Sequence, residues 1–255
     1  MERNALNFGI HTPNTSAVVA VLYGPGINCH EETAFAIEQA GLNAKIVNFQ
    51  DILTGEERLT RYQAIVIPGG FSWGDHLGSG RIFGLHLIAC VADQLRELVE
   101  TGKPILGICN GFQILVETGL LPAGTVGERQ AALLQNKSAR FESRWVELIV
   151  TDDKSIWTKG LHGRILRMPV AHGEGRLYWE NDDIIHPVVC YSKNNQPTEE
   201  YPYCPSGSPK GIAGIRDSTG LIFGLMPHPE RATLPWHGSS DGIEIFKNLA
   251  QHLKH

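Results

Sequence analysis

An α/β fold with a mainly parallel central sheet flanked by helices follows from three features of this sequence. Short apolar runs recur and stop at glycine or proline. Amphipathic stretches of helical length separate them, as parallel strands with crossover helices require. Glycine is abundant, 28 of 255 residues, which supplies tight turns and close backbone approaches.

The elements read in order. Ala17 to Tyr23 (AVVAVLY) is a β-rich run closed by Gly-Pro-Gly, as a buried strand would be. Residues 31–40 predict a helix stopped at Gly41, and 44–49 a second strand. Ala64 to Ile67 (AIVI) ends in Pro68-Gly69-Gly70. Residues 85–100 predict a long amphipathic helix closed by Gly102, 105–108 (ILGI) a buried strand, and 110–117 a helix. Strands are expected around 145–150, 165–170, 186–192, 211–215 and 220–226, and a last helix over 241–253. The polar, Pro/Gly-rich stretch 193–209 is expected to be an exposed loop. Residues 1–17 read as a loose extension, with neither the basic nor the apolar region of a signal peptide, and 18–255 as one domain with an excursion of strands in its second half.

Bulk properties exclude several classes. The net charge of -5 gives no basic face for nucleic acid or an acidic membrane surface. No apolar run is long enough to span a bilayer. Five cysteines (29, 90, 109, 190 and 204) form no Cys-x-x-Cys pair, so neither a disulfide framework nor a metal site is expected, and a reducing, cytoplasmic setting fits.

Gly107-Ile108-Cys109-Asn110-Gly111 follows a buried strand and opens a helix. This is the Gly-x-nucleophile-x-Gly pattern of a strand-to-helix elbow. The sharp turn needs small neighbours, and a helix N-terminus stabilises a thiolate. Asn110 N–H would face the same point and serve an oxyanion. Taken alone, the pentapeptide fits equally a buried cysteine in a β–α turn.

An acyl-transfer thiolate needs a base and a group to orient it. Met226-Pro227-His228-Pro229-Glu230 follows a predicted strand. Two residues apart in extended chain, His228 and Glu230 project to one side, and the prolines restrict the imidazole's backbone. The order Cys, His, Glu differs from the nucleophile, acid, His order of α/β-hydrolases. Pro68-Gly69-Gly70 also ends a strand and exposes N–H groups, as an oxyanion hole or as an ordinary glycine turn.

Taken together, PGG at 68–70, GICNG at 107–111 and MPHPE at 226–230 resemble the class I (triad) glutamine amidotransferases, over roughly residues 18–253. FSWGD (71–75), GINC (26–29), NKSARFESRW (136–145), AHGEGR (171–176), PSGSPKGI (205–212) and SSDGIEIFKNL (239–249) are similar to the glutaminase components of phosphoribosylformylglycinamidine synthase. Trp73 in place of tyrosine, Tyr23-Gly24 in place of Arg-Phe, and the first 17 residues depart from that pattern. The resemblance implies a flavodoxin-like fold, with Cys109 as nucleophile, His228 as base and Glu230 orienting it. Gly70 and Asn110 would form the oxyanion hole. Gln113, His172, Gly173 and Glu174 would lie at the glutamine site, in a loop at 172–175. His172 is a weaker candidate for the base, because no carboxylate sits beside it. Cys29, Cys90, Cys190 and Cys204 read as structural or incidental.

The resemblance also implies L-glutamine as substrate, a synthetase subunit as partner and a small accessory subunit. ATP and Mg²⁺ would belong to the synthetase, because this chain has no phosphate-binding Gly-x-x-x-x-Gly-Lys element and no cofactor is expected in it. A stand-alone cysteine hydrolase of the same fold is the alternative.

Overall fold

The computed structural model describes residues 16–254, so the predicted N-terminal extension lies, except for its last two residues, outside the described residues. The elements run β1 (Val18–Tyr23), α1 (His30–Gln39), β2 (Asn43–Asn48), α2 (Phe49–Thr54), β3 (Ala64–Ile67), α3 (Arg81–Glu100), β4 (Ile105–Ile108) and α4 (Asn110–Glu117). Then come β5 (Ala131–Gln135), β6 (Glu142–Val150), β7 (Ile165–His172), β8 (Glu174–Trp179), β9 (His186–Lys193), β10 (Gln196–Pro197), β11 (Ile212–Arg216), β12 (Ile222–Leu225) and α5 (Ile243–His252).

One large sheet has the order β2-β1-β3-β4-β12-β11-β9-β6-β7, with β10 added beside β9. From β2 to β12 every neighbour is parallel; from β12 to β7 every neighbour is antiparallel. The sequence shows why. Every residue of β3 (AIVI), β4 (ILGI) and β12 (IFGL) is buried, as central strands covered on both faces must be. β6 instead mixes buried and exposed positions, as an antiparallel strand with one wetter face does. Helix α4 is buried from Asn110 to Val116 and packs on the sheet centre, whereas α3 buries a stripe of Phe83, Leu87, Val91, Leu95 and Leu98.

The expected α/β class, the parallel half and the final helix are present. Three features differ from expectation. Residues 131–135 and 174–179 pair as a separate two-stranded sheet, β5 with β8. Their polar ends and short apolar runs gave no strong period. Residues 49–54 form α2, capped by the Asn48 side chain. The stretch 193–209 is not wholly exposed: Cys204, Ser206 and Ser208 are buried, and the serine hydroxyls accept from backbone, Ser206 Oγ from Ser208 N and Ser208 Oγ from Leu177 N. Its polar side chains are there to satisfy backbone, which composition alone does not distinguish from solvation.

Candidate active site

β3, β4 and β12 are adjacent and in register, with Ile67 opposite Gly107 and Ile108 opposite Leu225. Parallel strands end together, so Pro68-Gly69-Gly70, Cys109 and Met226-Pro227-His228 emerge from one edge of the sheet. In open α/β sheets this carboxyl edge is where ligands bind. Strand β7, last in the sheet order, comes back over the same edge: Pro169 O accepts from His228 N at 2.8 Å, and Ala171 O from Cys109 Sγ at 3.6 Å.

Cys109 is the N-cap of α4, with φ 51° and ψ -106°. That conformation costs about 1–3 kcal/mol for a non-glycine residue and persists only when its surroundings force it. The two glycines of the elbow do so. A Cβ on Gly111 would lie 1.9 Å from Ile67 O, and one on Gly107 would lie 2.6 Å from Gly111 O. The helix therefore starts hard against the strand, and only glycine fits on either side of the thiol.

His228 and Glu230 are buried, and Nδ1 meets Oε1 at 2.5 Å. The chain turns at Pro229–Arg231 in a short 3-10 helix, rather than running extended, and the pair still meets. Among the described residues, Nε2 of His228 and Oε2 of Glu230 have no hydrogen-bond partner. Burial works against a charge on His228. The Glu230 carboxylate and the Cys109 sulfur outweigh it and hold the imidazole's pKa well above the ordinary histidine range.

His172 is placed differently. Its Nδ1 lies 2.9 Å from Asn136 Oδ1, which also accepts from Gly175 N, while Asn136 Nδ2 donates to the carbonyls of Arg140 and His172. The amide orientation is therefore determined, and Nδ1 carries the proton. Burial, and then the neighbouring His228, push its pKa down to about 3. A ring so reluctant to charge is unsuited to serve as a base near neutrality. The expected loop at 172–175 is a tight turn at Gly173 between β7 and β8.

Gln113 is buried and engaged at both ends: Nε2 donates to Glu174 O at 2.6 Å, and Oε1 accepts from Asn110 Nδ2 at 2.9 Å. Asn110 Oδ1 accepts from Ser72 N at 3.1 Å and its Nδ2 reaches Asp75, so its side chain clamps the loop after Gly70. Glu174 Oε2 accepts from Ser79 N at 3.1 Å, fixing the far end of that loop. Gly70 has φ 151°, and a Cβ there would come within 2.6 Å of Gly26 O. A Cβ on Gly69 would come within 2.8 Å of His228 Cε1. Both glycines of the pair are required by close approach.

Of the two readings for Cys29, structural or incidental, its surroundings favour the structural one. It is buried at the head of α1, where Arg231 Nη2 donates to its sulfur at 3.1 Å, and donor atoms of Cys29, His228 and Glu230 lie within 4.8 Å of one another. The available signal was position: GINC follows β1, which pairs with β3 and so delivers Cys29 to the same sheet edge. Asn136 was likewise visible only as part of a longer matching segment.

The model of the CobB/CobQ-like glutamine amidotransferase domain matches residues 16–252. Over 225 residues the chain is 44% identical to the phosphoribosylformylglycinamidine synthase subunit PurQ of Methanococcus maripaludis strain S2, covering 84% of this chain and 82% of that protein. The chain belongs to the PurQ family of glutamine amidotransferases. A second family member, from Pyrococcus furiosus, is 42% identical over 237 residues, 92% of this chain and 98% of its own length. Among solved structures, PurLQS from Thermotoga maritima contains a chain matching at a TM-score of 0.79 and 34% identity, over 94% of this chain and all of that one. The glutaminase domain of Trypanosoma brucei CTPS with bound acivicin matches at 0.57 with 12% identity, a likeness of fold alone. No helix among the described residues is long and apolar enough to cross a membrane.

Proposed function

We propose that this chain is the glutaminase subunit of phosphoribosylformylglycinamidine synthase, hydrolysing L-glutamine through Cys109, His228 and Glu230 and passing ammonia to a synthetase. The observation that carries the reading is the strained Cys109 at the start of α4, electrostatically coupled to a buried His228–Glu230 pair. The PurQ relatives and PurLQS support the choice of partner.

In this reading the amide of glutamine lies over Cys109. The thiolate attacks the amide carbon, a C–S bond forms, and the oxyanion meets the N–H groups of Gly70 and Asn110. Imidazolium His228 gives its proton to the amide nitrogen as the C–N bond breaks, and ammonia leaves. His228, now neutral, takes a proton from water as that water attacks the thioester. Glutamate departs and Cys109 is restored. Glu230 keeps the proton-bearing Nδ1 fixed, so Nε2 faces the reacting atoms. Gln113 and Glu174 hold the first turn of α4 and the 71–80 loop in place around glutamine, and His172 and Gly173 shape the wall formed by β7.

Ammonia near neutral pH is mostly ammonium, which is not nucleophilic, so a closed route to the synthetase preserves its reactivity. ATP and Mg²⁺ act in the synthetase, where formylglycinamide ribonucleotide is activated, and a small accessory subunit completes the assembly. The setting is cytoplasmic. The isolated chain is a slow glutaminase switched on by assembly, with the Gly69–Gly70 peptide as the element that rotates.

The test is labelling by a glutamine-analogue electrophile. Modification of Cys109 that glutamine blocks supports the reading; modification indifferent to glutamine points to a stand-alone cysteine hydrolase.

A further inference from the structure

The Cys29 side chain meets three partners at once. Its S–H donates to Asn28 Oδ1 at 3.3 Å, and its lone pairs accept from Arg231 Nη2 at 3.1 Å. It lies against the His228 ring, since a Cβ on Gly69 would touch both, 3.1 Å from the sulfur and 2.8 Å from Cε1. Burial raises its pKa, so it remains a neutral thiol. The donors Cys29, His228 and Glu230 have the chemistry of a soft-metal site. A guanidinium on the sulfur is the wrong neighbour for a cation, and it points to another role.

That role concerns Arg231. Its Nε donates to Glu32 Oε1 on α1 at 2.8 Å and lies 4.0 Å from Glu230 Oε1. Glu230 Oε2 is buried with no hydrogen-bond partner among the described residues. An unpaired buried carboxylate oxygen beside a guanidinium should attract it into a two-pronged pair. It has not done so, because Nε, the guanidinium atom 4.0 Å from Glu230, already donates to Glu32, and Nη2 donates to Cys29.

We propose that Cys29 is a positioning residue for glutamine hydrolysis: its sulfur holds the Arg231 guanidinium against α1, beyond hydrogen-bond reach of Glu230, so the carboxylate keeps its hydrogen bond for His228. This rests on the glutaminase reading. A carboxylate shared with arginine accepts less well from imidazolium, so His228 would give up its proton at lower pH. The charged and titratable groups facing His228 are Glu230 and Arg231 from its own turn, Cys109 at the head of α4, Cys29 at the head of α1 and His172 at the end of β7.

The experiment is the pH profile of glutamine hydrolysis by the reconstituted synthase complex. Cys29→Ala moves the alkaline limb of kcat/KM down by about one pH unit, because a guanidinium that closes from 4.0 Å to a direct hydrogen-bonded pair competes with imidazolium for the carboxylate on that scale. Cys29→Ser keeps the wild-type limb, since a hydroxyl also accepts from guanidinium. Glu32→Gln, at a partly exposed position, loosens the other tether and moves the limb the same way, which tests the idea even if Cys29→Ala misfolds. In an Arg231→Ala background Cys29→Ala no longer shifts the limb, the signature of a residue acting through another. A uniform rate loss with an unmoved limb in both Cys29→Ala and Glu32→Gln overturns the proposal, as does a shift that persists without Arg231. Failure of the glutaminase reading is distinguishable, because Cys109 would then escape glutamine-protected labelling in the wild type.

Discussion

The backbone N–H of Cys109 donates to the carbonyl of Leu225 at 2.8 Å, joining the elbow to the strand that carries His228. The peptide of the proposed nucleophile and the strand leading to the proposed base are thus neighbours in one hydrogen-bonded ladder. Small displacements of either are shared by the other, and the sheet itself sets their spacing.

Replacement of the thiol separates the two halves of the reaction. Cys109→Ala in the reconstituted complex abolishes glutamine-dependent synthesis, a loss of at least ~10³-fold, while synthesis from added ammonium salt is retained. Loss of both, or of neither, would contradict the division of labour between subunits.

Glu230→Gln tests the orienting carboxylate. The amide still occupies the space but removes the charge that holds the proton on His228. We expect glutamine turnover to fall by about 10²–10⁴-fold, with KM changed little. The alkaline limb of the residual activity moves to lower pH, because His228 no longer retains its proton as strongly.

Gly69→Ala tests the shared floor beneath the imidazole. The added methyl meets His228 Cε1 at 2.8 Å and Cys29 Sγ at 3.1 Å. The ring is displaced, so we expect kcat to drop by about 10–100-fold. Melting curves should show a folded protein, with the transition lowered by about 4 °C or less.

Acid sensitivity follows from His172. Its pKa falls from the ordinary 6.5 to about 3 on folding. The unfolded chain then binds one more proton than the native protein between those values, so stability rises with pH across that window and is lost as pH falls. The slope from this residue is ~1.4 kcal/mol per pH unit. Denaturant titrations at several pH values should show it in the wild type, and a shallower slope in His172→Gln. Equal slopes would rule out this histidine as the cause.

Much of the parallel half was legible in the sequence, because AIVI and ILGI are short, wholly apolar runs bounded by proline, which follows the first at Pro68 and precedes the second at Pro104. The elbow and the His228–Glu230 pair were legible because steric need writes itself as glycine at 107 and 111 and proline at 227 and 229. The β5–β8 ribbon was not, since its strands satisfy each other outside the main sheet and carry exposed residues such as Leu134 and Tyr178. Cys29 was hidden for a different reason. Its importance lies in contacts to residues about 200 positions away, recorded by the Arg231 hydrogen bond and by no local pattern.

The elbow and His228 are separated in sequence by the whole excursion from β5 to β11, although β12 lies beside β4 in the sheet. A chain still emerging from the ribosome therefore carries its thiol long before it has an imidazole. Under the proposed mechanism, a chain whose β12 has yet to join the sheet holds a thiol without its imidazole and cannot turn over glutamine.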